Sequence, residues 1–522
     1  MPLTSGGFLL FAALFSLLYF ILPRRWQPGL LLGGSAVFYA AAGWKFLAVP
    51  LFFGVVAWGF GHWLAARAER TEAILVARRA DGSWDKAARV TFRDARVRRS
   101  RGVLVLGVAL VLAVPLIFRG AMLALPQWGL LMPLGMSYLM LEAIGYLADV
   151  FRGDVCGRQR LWKIFLYLFY FPRLWQGPIG RFEEDMAELM APHAFCGERA
   201  RAAVLRFLWG SAKKLIVADT VAVAVLSVRK QADAMGGTGV LLLIVLYSVQ
   251  IYADFTGGID MALGVSEFLG IRLAENFDHP FASPSVREYW RRWHMSMGRW
   301  FETYVFYPLS VSPWIQRLSR RARGALGEAV GRRIPLYFAT LATWLLTGIW
   351  HGFGANFAVW GLCNGGFMLL SRELTPLRGG LAVRMPRVAR SRGWRLVCCA
   401  GTFSLVGLFR TLDVYGNVGQ TMRLWGRALL PAAFGGLADG ALWASLGLRL
   451  AQWTLVALGV AVMAAVSMRM PRVRDAALPL RVRVARRPVL CVALVAGLLC
   501  AILIFGCYGM GYTPRDFIYG RY

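Results

Sequence analysis

The sequence predicts an all-α, polytopic integral membrane protein with about 11 transmembrane helices and additional re-entrant or interfacial helices. Two bulk properties favour this fold class: 58% of the 522 residues are hydrophobic, and the mean hydropathy is +0.53. Soluble domains use only about 45–50% apolar residues. A spanning helix needs about 20 mostly apolar residues, and such stretches recur from residues 8–22 to residues 489–507. The expected solvent is therefore the bilayer.

Thirteen apolar stretches are candidate spans, and about 11 of them, to within two, are expected to cross the membrane. They lie near residues 8–22, 28–42, 45–64, 102–118, 129–150, 161–177, 202–227, 238–258, 335–350, 352–371, 394–411, 446–468 and 488–508. The first stretch lacks the basic start and the small-residue cleavage site of a signal peptide, so we predict a retained helix. No internal repeat is visible, which disfavours the duplicated architecture of many transporters. We predict one transmembrane domain over residues 1–522.

The charge pattern predicts the topology. The net charge is +31, from 59 Lys and Arg against 28 Asp and Glu, and the arginines lie in the gaps between the apolar runs. Cytosolic connections of membrane proteins carry such an excess, so we predict basic cytosolic loops at 65–101, 312–334, 372–395 and 469–488. The partner of these arginines is expected to be membrane lipid, and a nucleic acid partner is not needed to explain them.

The cysteines do not indicate a metal site or a disulfide framework. None of the eight has CxxC spacing, and several lie within apolar runs. We interpret them as small hydrophobic residues. No metal site is expected.

One histidine lies where two apolar runs meet. His351 ends the run Thr347-Gly348-Ile349-Trp350-His351, and ionisable residues at membrane depth are costly enough to be functional candidates. Histidine has an unperturbed pKa of about 6.5, so it can accept a proton from an attacking hydroxyl near neutral pH. A structural histidine with satisfied hydrogen bonds is the alternative that the position alone leaves open.

A second histidine lies in a segment rich in tryptophan and arginine. Ser285 and Glu288 have the spacing of a capping box, which predicts a helix that begins near residue 286. On such a helix the aromatic side chains from 290 to 301 recur on one face. The pattern is typical of an interfacial amphipathic helix. His294 is the exception, because it places an ionisable group on the apolar face.

Two acids flank a glycine pair in an apolar run. Asp254 and Asp260 enclose Gly257-Gly258, and the glycines permit a sharp turn. The acids either satisfy helix ends, or they orient a histidine or line a polar tunnel. The common soluble motifs, such as GxSxG, the P-loop, GxGxxG and HExxH, do not occur in the sequence.

Several motifs of the middle region resemble those of the membrane-bound O-acyltransferases. The run 290–296, followed by 347–352, is similar to the signature of this family, in particular of the bacterial branch with the alginate O-acetylation and teichoic-acid D-alanyl transfer proteins. Further similar motifs occur at 171–172, 177–179, 252–255, 276–280 and 304–308. The resemblance is dense over about 130–370. It departs at 256–260, where relatives carry Ser-Gly-Tyr-Ser-Asp, and at the end of the chain.

The resemblance implies helices around a central funnel, with His351 as the catalytic histidine and His294 as the supporting one. It also implies that the substrate tunnel is lined by Trp350, Asp254, Tyr252, Asn276 and Trp293. The expected donor is a cytosolic thioester, either acyl-CoA (acetyl-CoA) or an acyl-carrier protein. The expected acceptor is an exported polysaccharide, reached directly or through an extracytoplasmic partner acyltransferase. The expected location is the bacterial inner membrane.

Three other functions stay open at this point. D-alanyl transfer to teichoic acid is the alternative within the enzyme class. A transporter or flippase would move a substrate without making or breaking a bond, and it would tolerate conservative loss of His351. A scaffold for an exported enzyme would need neither histidine.

Overall fold

The computed structural model describes residues 2–125, 132–155, 157–429, 437, 439–473 and 478–508. This part of the chain is α-helical, without a strand apart from one isolated bridge between Phe277 and Trp293, and the predicted fold class is confirmed. A helix satisfies its backbone hydrogen bonds internally, which a chain in lipid requires.

Twenty-four α-helices occur in the described ranges. They are α1 Gly6–Ile21, α2 Gln27–Gly43, α3 Ala48–Ala80, α4 Lys86–Ala124, α5 Met136–Arg152, α6 Leu161–Phe169, α7 Phe182–Leu189, α8 Gly197–Ala212, α9 Asp219–Lys230, α10 Ala232–Leu269, α11 Val286–Trp290, α12 Met295–Phe301, α13 Tyr307–Ser310, α14 Pro313–Leu326, α15 Glu328–His351, α16 Ala355–Glu373, α17 Thr375–Arg384, α18 Pro386–Ala389, α19 Arg392–Tyr415, α20 Val418–Ala428, α21 Gly440–Ser445, α22 Leu450–Arg469, α23 Leu480–Ala485 and α24 Pro488–Phe505.

Six stretches of the described chain are long and apolar enough to cross a membrane. They are Arg24–Ala80, Lys86–Met122, Ala232–Leu269, Arg392–Tyr415, Leu450–Arg469 and Pro488–Phe505. They agree with a multi-pass membrane protein, while the predicted number of about 11 spans stays a prediction. The predicted span at 161–177 is wrong as one helix. Its helix α6 has nine residues, because Pro172 follows it and Gly177 adopts a positive φ of 87°, which end regular helix.

The chain divides into two compact units. The first comprises residues 2–203 and 262–274, and the second comprises 204–261 and 275–508. Helices α8 and α10 each contribute to both. The predicted single domain over 1–522 stays a prediction.

The first unit contains a long basic helical hairpin. The predicted loop at 65–101 is wrong, because α3 continues to Ala80 and α4 begins at Lys86, where Asp85 caps the helix by accepting a 2.6 Å hydrogen bond from the backbone of Ala88. Helix α4 has 39 residues, about 58 Å at 1.5 Å per residue, against about 30 Å of hydrocarbon. The other predicted basic loops also contain helices. The loop 312–334 contains α14 and the start of α15, the loop 372–395 contains α17 and α18, and the loop 469–488 contains α23.

A buried ion cluster stabilises the core of the first unit. Arg173 pairs with Asp185, and its Nε lies 3.2 Å from the carboxylate of Glu142. All three side chains are buried. A charge inside a membrane protein needs such partners, so we interpret this cluster as structural.

The second unit contains a close crossing of two helices at the glycine pair, where the sequence permitted a turn. Helix α10 continues through Gly257 and Gly258 without a turn. A methyl group on Gly257 would lie 2.8 Å from the carbonyl oxygen of Gly210, which is too close. The glycines therefore allow α8 and α10 to approach each other.

Candidate active site

His351 is the last residue of α15 and is buried. Its Nδ1 lies 2.7 Å from the carbonyl oxygen of Thr347, one helical turn earlier. A carbonyl oxygen only accepts hydrogen bonds, so Nδ1 carries the proton of the neutral ring. Nε2 is then the ring nitrogen that can take up a proton, as a general base must.

The position of His351 depends on the contact between α15 and α16. Gly348 and Gly361 face each other where these helices cross. A methyl group on Gly348 would lie 2.2 Å from the carbonyl oxygen of Phe357, and one on Gly361 would lie 2.2 Å from that of Trp344. Only glycine permits this approach. The crossing fixes the end of α15, where His351 lies.

His294 lies at a break between two short helices, which corrects the predicted single amphipathic helix. Helix α11 ends at Trp290 and α12 begins at Met295. His294 itself adopts a left-handed conformation with φ of 49°, which is uncommon for a residue other than glycine. Ser285 caps α11 as predicted, but Glu288 pairs with Arg292 instead of completing the capping box.

The break is held open by hydrogen bonds to the segment 276–278. The backbone N–H of Asp278 donates to the carbonyl of Arg292, and that of Met295 donates to the carbonyl of Asn276, both at 3.0 Å. These bonds replace the helical bonds that an unbroken helix would make. The predicted interfacial position is also wrong, because Trp293 and His294 are buried in protein, at 1% and 0% exposure.

Asn276 fixes the orientation of the second histidine. Its side-chain oxygen accepts hydrogen bonds from the backbone N–H and hydroxyl of Ser296, both at 3.0 Å, and it lies 3.3 Å from Nδ1 of His294. All three residues are buried. Asn276 is one of the predicted tunnel residues, and the structure places it as the hydrogen-bonding centre of the break.

Aromatic rings connect the two histidines. The ring of Trp350 lies 4.8 Å from that of His351 and 6.2 Å from that of His294, measured between centroids. Trp360 lies 5.0 Å from His351, and Phe255 lies 4.8 Å from His294. Both imidazoles therefore share one aromatic shell, which lowers the local dielectric and excludes water.

Asp254 belongs to a buried ion triad. Its carboxylate lies 2.7 Å from Nζ of Lys214, which also lies 3.0 Å from the carboxylate of Asp219. The sequence analysis missed Lys214 and its neighbour Lys213. Two adjacent lysines inside the apolar run 202–227 were the available signal, and both lie in a π-helical turn, Lys213–Ala218, of the kind that often marks functional sites.

A charged cavity of about 310 Å³ lies in the second unit. Its lining includes Tyr252 among the predicted tunnel residues, whereas Asp254, Asn276, Trp293 and Trp350 do not line it. Tyr252 contacts the ring of Trp293 at 6.2 Å. Trp293 directly precedes His294 in the chain, so a single aromatic layer lies between the cavity and the break.

Ion pairs form part of the cavity wall. Arg206 makes two hydrogen bonds to Glu275, at 2.9 and 2.6 Å, and one to Asp260 at 2.9 Å. Lys213 donates to Asp260 at 2.6 Å. Arg481 lies 3.6 Å from Glu275. With Arg472 and Asp278 included, the cavity lining has four Arg or Lys side chains and three Asp or Glu side chains.

The described residues contain no group of three or more His, Cys, Asp or Glu side chains that could hold a metal ion. The site itself combines a histidine base with surrounding hydrogen-bond donors. Such a site can remove a proton from a hydroxyl that attacks a carbonyl.

Comparison with known proteins agrees with this chemistry. The family model described as MBOAT, membrane-bound O-acyltransferase family, matches residues 157–319, a range that contains the broken helix and His294 and ends before His351. This match confirms the predicted resemblance. The protein is a membrane-embedded acyltransferase.

The relatives of this chain share the activity class but differ in acceptor. The chain is 28% identical to the probable alginate O-acetylase of Pseudomonas syringae pv. tomato, over 72% of this chain and 67% of the relative. It is 29% identical to the corresponding protein of Azotobacter vinelandii, over 72% and 69%. It is 27% identical to the teichoic acid D-alanyltransferase of Bacillus subtilis, over 45% and 58%.

Proposed function

We propose that this acyltransferase passes an acetyl group from a cytosolic thioester to a hydroxyl of an exported polysaccharide, or to a partner acyltransferase outside the membrane. The observation that carries the proposal is the hydrogen bond from Nδ1 of His351 to Thr347, which leaves Nε2 as the proton-accepting atom at a buried site.

In the proposed reaction, Nε2 of His351 takes the proton of the acceptor hydroxyl as its oxygen attacks the thioester carbonyl. The carbon–sulfur bond then breaks and the thiolate leaves with the electron pair. The imidazolium returns its proton to the thiolate, directly or through water, so an ester and a thiol replace an alcohol and a thioester. Such proton transfer typically accounts for about 10²–10⁴ in rate. His294 has a positioning role in this scheme, because its ring contacts Trp350, which in turn contacts the ring of His351.

The charged cavity is the proposed entrance of the donor. Its lining includes Arg472 and Arg481, from the basic segment 469–488 that the positive-inside rule places in the cytosol. Both coenzyme A and a phosphopantetheine-bearing carrier protein have phosphate groups, which arginine and lysine bind. The donor is therefore proposed to be one of these two thioesters, with the inner membrane as the location.

Acetyl transfer is favoured over D-alanyl transfer by the extent of similarity. The alginate O-acetylases align with 72% of this chain, against 45% for the D-alanyltransferase. The fixed tautomer of His351 also favours chemistry over passive transport, since a transporter or scaffold has no need of a proton acceptor there.

The proposal is tested in a deletion strain that is complemented with wild type, His351→Gln or His62→Gln at equal membrane levels. His62→Gln makes the same substitution in the first unit and serves as the control. Mild alkali should release acetate from surface polysaccharide with wild type and the control, and not with His351→Gln. Release of D-alanine in place of acetate would show that the transferred group is D-alanyl and not acetyl. Full release with His351→Gln would overturn the assignment of the base.

A further inference from the structure

A buried arginine lies beside the histidine site without an acidic partner. Arg410, in α19, is 4% exposed. Its guanidinium carbon lies 4.2 Å from the ring centroid of Trp293, and the group donates a hydrogen bond to the hydroxyl of Tyr289. Its Nη1 is buried and has no hydrogen-bond partner among the described residues. Within that part of the chain, no carboxylate lies within 4 Å of it.

The nearest acid along its own helix has a different partner. Asp413 lies three residues further on, and its carboxylate accepts a hydrogen bond from the hydroxyl of Tyr247. The contact with Trp293 is favourable for a cation, but it does not neutralise the charge. An ionised group inside a membrane protein is costly unless it is paired. Among the described residues the guanidinium of Arg410 therefore has no counter-charge, which an anionic ligand would supply.

The same aromatic shell surrounds this arginine and both histidines. Trp293 precedes His294 directly. Phe409, the neighbour of Arg410, packs in one core cluster with Trp360, and Trp360 contacts the ring of His351 at 5.0 Å. Arg410 and the two histidines therefore pack against the same group of aromatic side chains.

The position of Arg410 along α19 indicates which substrate carries the anionic group. Arg410 is 18 residues after Arg392, about 27 Å along the helix, and α19 begins in the basic segment 372–395. The hydrocarbon core is about 30 Å thick, so the topology predicted from the basic segments places Arg410 toward the opposite membrane face. The donor is proposed to enter from the basic face, and the acceptor approaches from the other.

We propose that Arg410 binds an anionic group, a carboxylate or a phosphate, of the acceptor through Nη1, while Trp293 and Tyr289 hold the guanidinium plane. The acceptor class is thus an acidic glycan or another acidic polymer. The identity of the acceptor in this inference rests on the proposed function. The presence of an anion site does not depend on it. A lysine cannot replace the planar group, because it is a point charge without the fork of donors.

The first test measures binding without activity. Full-length protein in lipid nanodiscs is melted with increasing glucuronate or inorganic phosphate, and with glucose or chloride at matched ionic strength. The melting temperature of wild type should rise and saturate with the oxyanions alone, since a ligand that binds only the folded state stabilises it. Arg410→Gln should lose this response. Arg395→Gln, an exposed arginine of the same helix, should keep it.

The second test assigns the anion to one substrate. With purified donor and acidic acceptor, Arg410→Gln should raise KM for the acceptor about tenfold or more and leave KM for the thioester unchanged. A change in the donor KM alone would overturn the acceptor assignment. An equal response of wild type and Arg410→Gln to oxyanions would overturn the site itself.

Two further outcomes keep these conclusions separable. If Arg410→Gln does not fold, Arg410→Lys carries the test, and it should bind glucuronate more weakly than wild type does; equal binding would overturn the role of the guanidinium. If His351→Gln retains transfer while the oxyanion response of wild type persists, the proposed base fails and the anion site stands.

Discussion

Replacing Gly348 by alanine should disturb the catalytic histidine through the helix crossing beneath it. The added methyl group would lie 2.2 Å from the carbonyl oxygen of Phe357, whereas ordinary contacts begin near 3.4 Å. Relief of the clash needs α15 and α16 to separate by about 1 Å. His351 is three residues further on and would move by a similar amount. A misplacement of about 1 Å can cost about 10²-fold in rate, or about 2.7 kcal/mol in activation free energy.

The assay compares transfer rate and thermal stability for wild type, Gly348→Ala and Gly366→Ala in nanodiscs. Overpacking should also lower the free energy of unfolding of Gly348→Ala by about 1–3 kcal/mol. Gly366, on α16, is the control, because a methyl group there has no neighbour within 4 Å. Its replacement by alanine should raise helix stability by up to about 1 kcal/mol and leave the rate unchanged.

The two variants must behave differently for this reasoning to hold. A rate for Gly348→Ala within about twofold of wild type would mean that the helix crossing does not position His351, since the expected loss is about 10²-fold. An equal loss in Gly366→Ala would point to a general effect of glycine replacement instead.

Three further predictions concern the surroundings of the site. Lys214→Met leaves the carboxylates of Asp254 and Asp219 buried together without their cation and should lower the free energy of unfolding by about 3–5 kcal/mol, measured by denaturant unfolding; recovery is expected when Asp254→Asn is added. Asn276→Ala removes the oxygen that accepts the hydrogen bonds of Ser296 and should lower the free energy of unfolding by about 1–3 kcal/mol. The transfer rate should also fall, and a higher concentration of the substrate hydroxyl should not restore it. Arg481→Gln should raise the KM of the thioester donor about threefold to tenfold through loss of one charged contact, while a KM equal to that of wild type would argue against the cavity as the donor entrance.

The fold class was predictable because the bilayer restricts the chain to few solutions. Long apolar runs become helices, and α10, α19, α22 and α24 agree with the runs that predicted them. Where helices end was less predictable. The hydropathy pattern marks only the part in lipid, so it did not show that α3 and α4 extend as helices into the basic segment. Nor did it show that Pro172 shortens α6, although proline gave a local signal.

The histidines of the site were predictable from the sequence, whereas the polar side chains around them were not. His351 stood out because it interrupts an apolar region, and the structure places its ring in a shell with His294. The break before His294 depends on bonds to Asn276, which is 18 residues away in the chain, so periodicity alone predicted an unbroken helix. Lys214 and Arg410 were each visible as a charge inside an apolar run. Their interpretation required knowing which partners the fold supplies, and the described part of the chain places no carboxylate beside Arg410.

The central claim, that His351 is the base of an acyl transfer across the membrane, is tested most directly in proteoliposomes. The protein is reconstituted with radiolabelled acetyl-CoA on the side of its basic segments and an acidic oligosaccharide on the other side. Wild type and His62→Gln should form alkali-labile acetyl ester on the acceptor side, and His351→Gln should form it at least about 10²-fold more slowly. Ester formation by His351→Gln at the wild-type rate would contradict the account.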